Sequence, residues 1–236
     1  TAVLNYTILQ KENMNLNFNM NARHITSEYR NIGTALDQYN KENSSSNLTR
    51  YYDGGSSSDL WAVRSAGIDP GSGREIFIKK DGTQTFVHDT DDEVVVGNST
   101  PKLEGVIGAS FYYKGFSASV NLRYRLGGQI FMSTLYNKVE NISENDLQYN
   151  QDKRALYDRW KKPGDKAKFK AIDDYSSTPM SSRFVRTENT FSGESISMGY
   201  ESSAAWIKKI GAEGVTFRAY MNDIFRLSSF KEERGT

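Results

Sequence analysis

Between Gly115 and Gly128 the chain reads GFSASVNLRYRLGG, and every second residue is apolar: Phe116, Ala118, Val120, Leu122, Tyr124 and Leu126. The intervening Ser117, Ser119, Asn121, Arg123 and Arg125 are polar. Alternation with period two puts the two sets on opposite faces of a strand. Five other segments share the pattern. Ala2 to Leu9 aligns Ala2, Leu4, Tyr6 and Ile8. NMNLNFNMNARH (13–24) aligns Met14, Leu16, Phe18, Met20 and Ala22 against a row of Asn13, Asn15, Asn17, Asn19, Asn21 and Arg23. LEGVIGASFYY aligns Leu103, Ile107, Ala109, Phe111 and Tyr113. GESISMGYE aligns Ile196, Met198 and Tyr200, and GVTFRAYMNDIF aligns Val215, Phe217, Ala219 and Met221.

The connections between these six strands alternate in length. Strands one and two meet around Gln10 to Glu12, strands three and four at Lys114 and Gly115, strands five and six through SSAAWIKKIGAE. About seventy residues separate strands two and three, and about sixty separate four and five. Loops in compact domains rarely exceed about 12–15 residues. Short turns at one end and long loops at the other are the rhythm of an outer-membrane barrel. Several strands run about 11–13 residues, where a sandwich strand averages ~5–6 and a tilted membrane strand needs ~9–11. The fold class expected is all-β, an antiparallel transmembrane β-barrel segment with long extracellular loops. A soluble β-sandwich would also alternate, with its apolar face forming a core.

On the barrel reading, Phe116, Ala118, Val120, Leu122, Tyr124 and Leu126 face lipid, and Asn121, Arg123 and Arg125 face a wet lumen. Strands two, four and six run outward. Phe111, Tyr113, Phe116 and Tyr200 then fall at the periplasmic rim, Tyr124 and Phe225 toward the outer one, where amphipathic rings settle. His24 falls on the lipid-side register near the outer rim. Six strands cannot close a barrel with a channel, since small closed barrels need about eight. The chain opens directly on a strand pattern without a signal peptide, and is expected to be a piece of something longer.

Composition is consistent with this picture. Mean hydropathy is −0.66, and a run of about 18 apolar residues, the mark of a membrane helix, does not occur. A barrel strand shows only half its residues to lipid and reads as polar on average. Net charge is +1, which gives no preference for nucleic acid. Cysteine is absent and the two histidines, His24 and His88, lie far apart, so no thiolate or histidine metal site is indicated. No catalytic constellation and no cofactor motif is found. Glu104 and Glu194 are candidate lumen carboxylates, with nothing to pair them as acid and base.

In the first long loop, GREIFIKKDGTQTFV predicts a hairpin turned at Asp81-Gly82. Tyr51, Tyr52 and Trp61 are candidate ligand-binding aromatics exposed on that loop. The acidic DTDDE stretch, Asp89 to Glu93, lacks the spacing of a calcium loop and reads as a solvated turn. In the second long loop, DKRALYDRWKKPGD predicts a short helix with Ala155, Leu156 and Trp160 on one stripe, ended by Pro163 and Gly164.

Several stretches, taken in order, resemble the C-terminal third of the SusC/RagA family of TonB-dependent outer-membrane receptors. They are LWAVRSAGIDPGSGREIF, STPKLEGVIGASFYYKGFSASVNLRYRLGGQIF, KRALYDRWKKPGD, SSRFVRTENTFSGESISMGY and FRAYMNDIFRLSSF. MNDIF stands where the family more usually has Asn-Leu-Phe. The resemblance implies that residues 1–236 are six late strands of a 22-stranded barrel, lacking the plug, the N-terminal domain and the final strand after KEERGT. It further implies an importer of oligosaccharides or oligopeptides in the bacterial outer membrane. Its partners would be a SusD-like surface lipoprotein, outer-membrane lipid, and TonB acting through the absent plug region. A passive porin or adhesion barrel, and a soluble β carbohydrate-binding module, are the alternatives.

Overall fold

A computed structural model describes residues 1–230; the closing KEERGT, 231–236, lies outside them. In chain order the strands are β1 (Ala2–Lys11), β2 (Met14–Ala22), β3 (Asp59–Ala62), β4 (Arg64–Ile68), β5 (Glu75–Ile78), β6 (Gln84–Thr85), β7 (Val94–Asn98), β8 (Leu103–Tyr113), β9 (Phe116–Phe131), β10 (Val185–Ser202) and β11 (Val215–Ser228). Two short helices, α1 (Asp37–Glu42) and α2 (Ala205–Lys209), accompany them. Among the described residues, no helix is long and apolar enough to cross a membrane, which says nothing of strands. The chain divides into two compact units. One is built from residues 1–25, 101–127 and 188–229, the other from 26–100, 128–187 and Phe230.

The first unit is one six-stranded sheet in the order β1-β2-β8-β9-β10-β11. The predicted pairing of neighbours is realised, and the apolar rows meet across strands. Met14, Leu16, Phe18 and Met20 lie opposite Tyr113, Phe111, Ala109 and Ile107, which in turn face Phe116, Ala118, Val120 and Leu122. The β8–β9 turn has positive φ at both Lys114 (46°) and Gly115 (87°). That is the primed turn whose twist matches the strands it joins. Gly115 is needed there twice over, because a Cβ would also come within 2.3 Å of the Glu201 carbonyl.

Three expectations are corrected within this sheet. Strand one does not alternate strictly. A bulge between Thr7 and Leu9 places Leu9, not Ile8, opposite Leu16, because the extra residue shifts the pleat by one. Strand five begins at Val185, well before Gly193. A second bulge, at Asp223 (φ 51°), separates the β10–β11 pairs Gly193–Phe225 and Ser195–Asn222. Tyr124, expected as an outer-rim ring, is 7% exposed. It lies over Gly105 of β8 and its hydroxyl donates to the Asn21 carbonyl at 2.8 Å. There the Asn21 side chain accepts the Val106 N–H, so side chains complete a gap in the β2–β8 ladder before it resumes at Arg23–Glu104.

Among the described residues of this unit, no second layer covers the apolar face of the sheet. Leu4, Met198, Phe217 and Met221 are all more than half exposed. A sandwich would have buried them. On β9 the apolar row spans Phe116 to Leu126, and eleven residues at ~3.3 Å each, tilted about 45°, rise about 25 Å, the height of a barrel's apolar band.

The second unit is made by the two long connections together, and both leave the same end of the sheet by topology. These loops share a core. Met132, Leu135, Val139, Phe169, Phe184 and Phe230 form one cluster, and Leu48, Ala62 and Val185 another. The predicted hairpin forms as β5 and β6 around Gly82. The predicted helix in DKRALYDRWKKPGD does not. Only a 3-10 turn over Lys153–Ala155 is present, and Asp152 caps it. Ala155 is buried while Leu156 is 63% exposed, so the three-residue stripe is absent.

The reason lies in Trp160. Its ring rests on Gly73, where a Cβ would meet it at 2.6 Å, and its Nε1 donates to the Pro70 carbonyl at 2.9 Å. The Gly164 N–H reaches the same carbonyl at 2.8 Å. The long-range contact with IDPGSG outcompetes a helix too short to stand alone.

Candidate functional site

Tyr51, Tyr52 and Trp61 are all in the loop unit, but they do not form one platform. Tyr51 is half-buried between Tyr29 and Tyr39, with ring centroids at 5.4 and 5.7 Å. Its backbone is held at both ends by the amide of Asn40, itself 2% exposed, at 2.8 and 2.9 Å. Trp61 sits on β3 rather than on an open loop, is half-buried, and stacks at 5.1 Å on Tyr52. Of the three, only Tyr52 is classed as exposed, at 38%. The expectation of three exposed loop rings is thereby corrected. Loop aromatics bury their large apolar area wherever the loop can fold over them.

Two buried ion networks brace the unit, and neither was evident from sequence. Arg50 makes a bidentate pair with Glu93, Nε and Nη2 each at 2.7 Å, and also donates to the carbonyls of Ser44, Asn47 and Thr49. Glu93 ends the acidic DTDDE stretch, so that stretch is solvated only in part. Asp89 accepts from the Asp91 N–H and Asp92 from the Lys80 N–H. The described residues contain no cluster of three groups suited to a metal.

Arg183 is the second hub. Its Nη2 reaches Glu75 at 2.7 Å and Glu140 at 2.8 Å, and its guanidinium lies 4.5 Å over the Phe184 ring. The two carboxylates outweigh the burial that opposes its charge, and hold the guanidinium well above its ordinary range. Ser181 donates to Glu75 at 2.6 Å and Thr178 to Glu140 at 3.1 Å. Burial pushes Lys170 and His88 below their ordinary values, and nearby carboxylates partly offset this in each case.

In the sheet, Asn121, Arg123 and Arg125 project from the polar face of β9, as the alternation predicts. Asn121 donates to the Ser195 hydroxyl at 3.0 Å, Arg123 pairs with Glu194, and Arg125 is 3.4 Å from Glu104. Glu104 also takes Arg23 at 2.7 Å. Both candidate carboxylates are thus neutralised by arginine. Gly108 lies between Asn19 and Asn121, and a Cβ there would come within 2.4 and 2.8 Å of their side-chain oxygens. His24 is exposed and its Nδ1 lies 2.8 Å from the Lys102 carbonyl.

Comparison with solved structures shows which fold this architecture shares. The chain superposes on structures of the RagAB peptide importer with a TM-score of 0.74 in the open-open state and 0.71 in the closed-closed state. Coverage is 95% of this chain in both, and identity is 15% and 16%. The fold is that of the RagA barrel wall. RagA is a SusC-like receptor. In sequence the chain is 21% identical over 163 residues to TonB-dependent receptor P39 of Formosa agariphila, a match covering 67% of this chain. No protein-family model matches it. The chain spans 15% of the length of that curated receptor and about a quarter of each RagAB chain. These relatives are outer-membrane receptors and transporters, not enzymes.

Proposed function

We propose that this chain is barrel wall and extracellular loop in a TonB-dependent importer. It resides in the bacterial outer membrane and belongs to the late strands of a 22-stranded barrel. The observation that carries this reading is the bare apolar face of the sheet. Exposed Leu4, Phe217 and Met221 on a single layer would each cost about 1.5–3 kcal/mol if left in water, and hydrocarbon removes that cost. The opposite face carries Asn, Ser and arginine–carboxylate pairs, as a wet lumen requires.

Transport of oligosaccharides or oligopeptides, with a SusD-like surface lipoprotein beside the barrel and TonB supplying energy through a plug, is the activity this architecture supports best. RagAB is a peptide importer, which favours peptides. We assign contact with such a ligand to Tyr52, the exposed ring among the three loop aromatics, and the lumen lining to Asn121, Arg123 and Arg125.

The test is made in cells carrying the full-length protein with an epitope inserted after Gly54, an exposed glycine with open space around it. Antibody should stain intact cells, and uptake of labelled oligopeptides or oligosaccharides should collapse when the proton gradient is dissipated. Uptake that persists without the gradient would mean a passive pore. A protein that fractionates as soluble without detergent would overturn the membrane reading.

A further inference from the structure

Within the loop unit lies a cavity of about 450 Å³ whose lining is cationic above an apolar floor. Arg154, Lys168, Arg183 and Arg186 supply the charge, Asp158 is the carboxylate among the lining residues, and Leu135, Phe169 and Phe184 form the floor. The four cations are not equivalent. Arg154 is engaged by Asp152. Lys168 is held by Asp158 at 2.9 Å, but the two side chains are 73% and 53% exposed. Water screens such an exposed pair strongly, so it exchanges readily for another anion. Arg186 is exposed and has no carboxylate partner among the described residues.

Arg183 is committed within the protein. Its side chain is only 9% exposed, and its two terminal nitrogens serve Glu75, Glu140 and the Lys168 carbonyl. Its Nε is buried with no acceptor among the described residues. That donor is closed off from the cavity, so Arg183 contributes its fixed positive charge to the wall and no hydrogen bond to a ligand. Two replaceable or unengaged cations above an aromatic floor suit a carboxylate carried on an apolar or planar body.

We infer that this cavity binds a carboxylate group of the transported oligomer. Arg186 and Lys168 take its charge, and the apolar body that carries it rests on Leu135, Phe169 and Phe184. The inference rests on the reading of the chain as part of an importer. The carboxylate comes either from a peptide's C-terminus or from a uronic acid, and the test separates the two.

The full receptor, purified in detergent, is titrated with an N-acetyl tetrapeptide acid and its C-terminal amide, and in parallel with tetragalacturonate and its methyl ester. In one of the two arms the acid should bind about tenfold tighter than the neutral form, the scale of a charge-assisted hydrogen bond. Arg186→Ala with Lys168→Ala should abolish that preference and leave binding of the neutral form unchanged. Lys41→Ala, on α1, should preserve it. Retention of the heat-modifiable gel mobility shows that each variant is assembled. Equal binding of acid and neutral forms in both arms, or a preference that survives the double substitution, would overturn the inference while leaving the importer reading intact. A protein that needs no detergent would instead overturn that reading, and the same titrations on the soluble protein would still decide the cavity.

Discussion

Leu122 and Arg123 are neighbours in sequence on opposite faces of β9, and exchanging their characters separates lipid from water as the covering of each face. Leu122 lies opposite Ile107 of β8, near the middle of the apolar row from Phe116 to Leu126. Arginine at the midplane of a barrel's lipid face costs about 2–4 kcal/mol. At 1.4 kcal/mol per factor of ten, Leu122→Arg should weaken assembly roughly 30- to 700-fold. Arg123 faces the other way and pairs with Glu194, with side chains 42% and 37% exposed. Removing an exposed pair forfeits only ~0–1 kcal/mol, so Arg123→Leu should assemble nearly as well as the parent. Both variants of the full receptor are refolded into phosphatidylcholine vesicles and titrated with urea, with heat-modifiable mobility as the readout. Equal losses, or a larger loss for Arg123→Leu, would refute the assignment of faces.

Three further outcomes follow from the loop unit. Glu140→Ala leaves Arg183 buried with one carboxylate fewer, a loss of about 3–5 kcal/mol. Limited proteolysis should then cut within 128–187 while the barrel keeps its gel mobility; unchanged protection would mean that Glu75 suffices. Gly73→Ala combines a positive φ of 73° with a Cβ at 2.6 Å from the Trp160 ring. It should expel that ring into water, shift tryptophan emission to the red and destabilise the unit by about 1–3 kcal/mol, and an unshifted spectrum would count against the packing. His88 is held below its ordinary value of 6.5 by burial, against the opposing pull of Glu93, Glu75 and Asp89. The unfolded chain therefore takes up the proton first. Protease resistance should be full above about pH 6.5, decline as the pH falls toward the folded-state value, and level off below it. His88→Phe should flatten that dependence; an unaltered profile would assign it to other groups.

The sequence by itself determined the sheet. Period-two alternation is a local property, so the apolar rows of β2, β8 and β9, the Lys114-Gly115 turn and the six-strand count could be read directly, and the ordered motifs pointed to the receptor fold. Which face Asn121, Arg123 and Arg125 occupy followed from the same pattern. Only the tertiary structure decided where that pattern breaks and how the loops are built. The Thr7/Leu9 and Asp223 bulges each turn on one extra residue, which leaves the composition of a strand unchanged. Tyr124 is buried because Gly105, nineteen positions earlier in the chain, leaves room for its ring. Trp160 gives up a helix because Gly73 and Pro70 lie beneath it, and Glu93 leaves an acidic turn because Arg50 is buried beside it. In each case the deciding partner is distant in sequence. Such contacts are fixed by packing and by the need to pair buried charge, neither of which has a period along the chain.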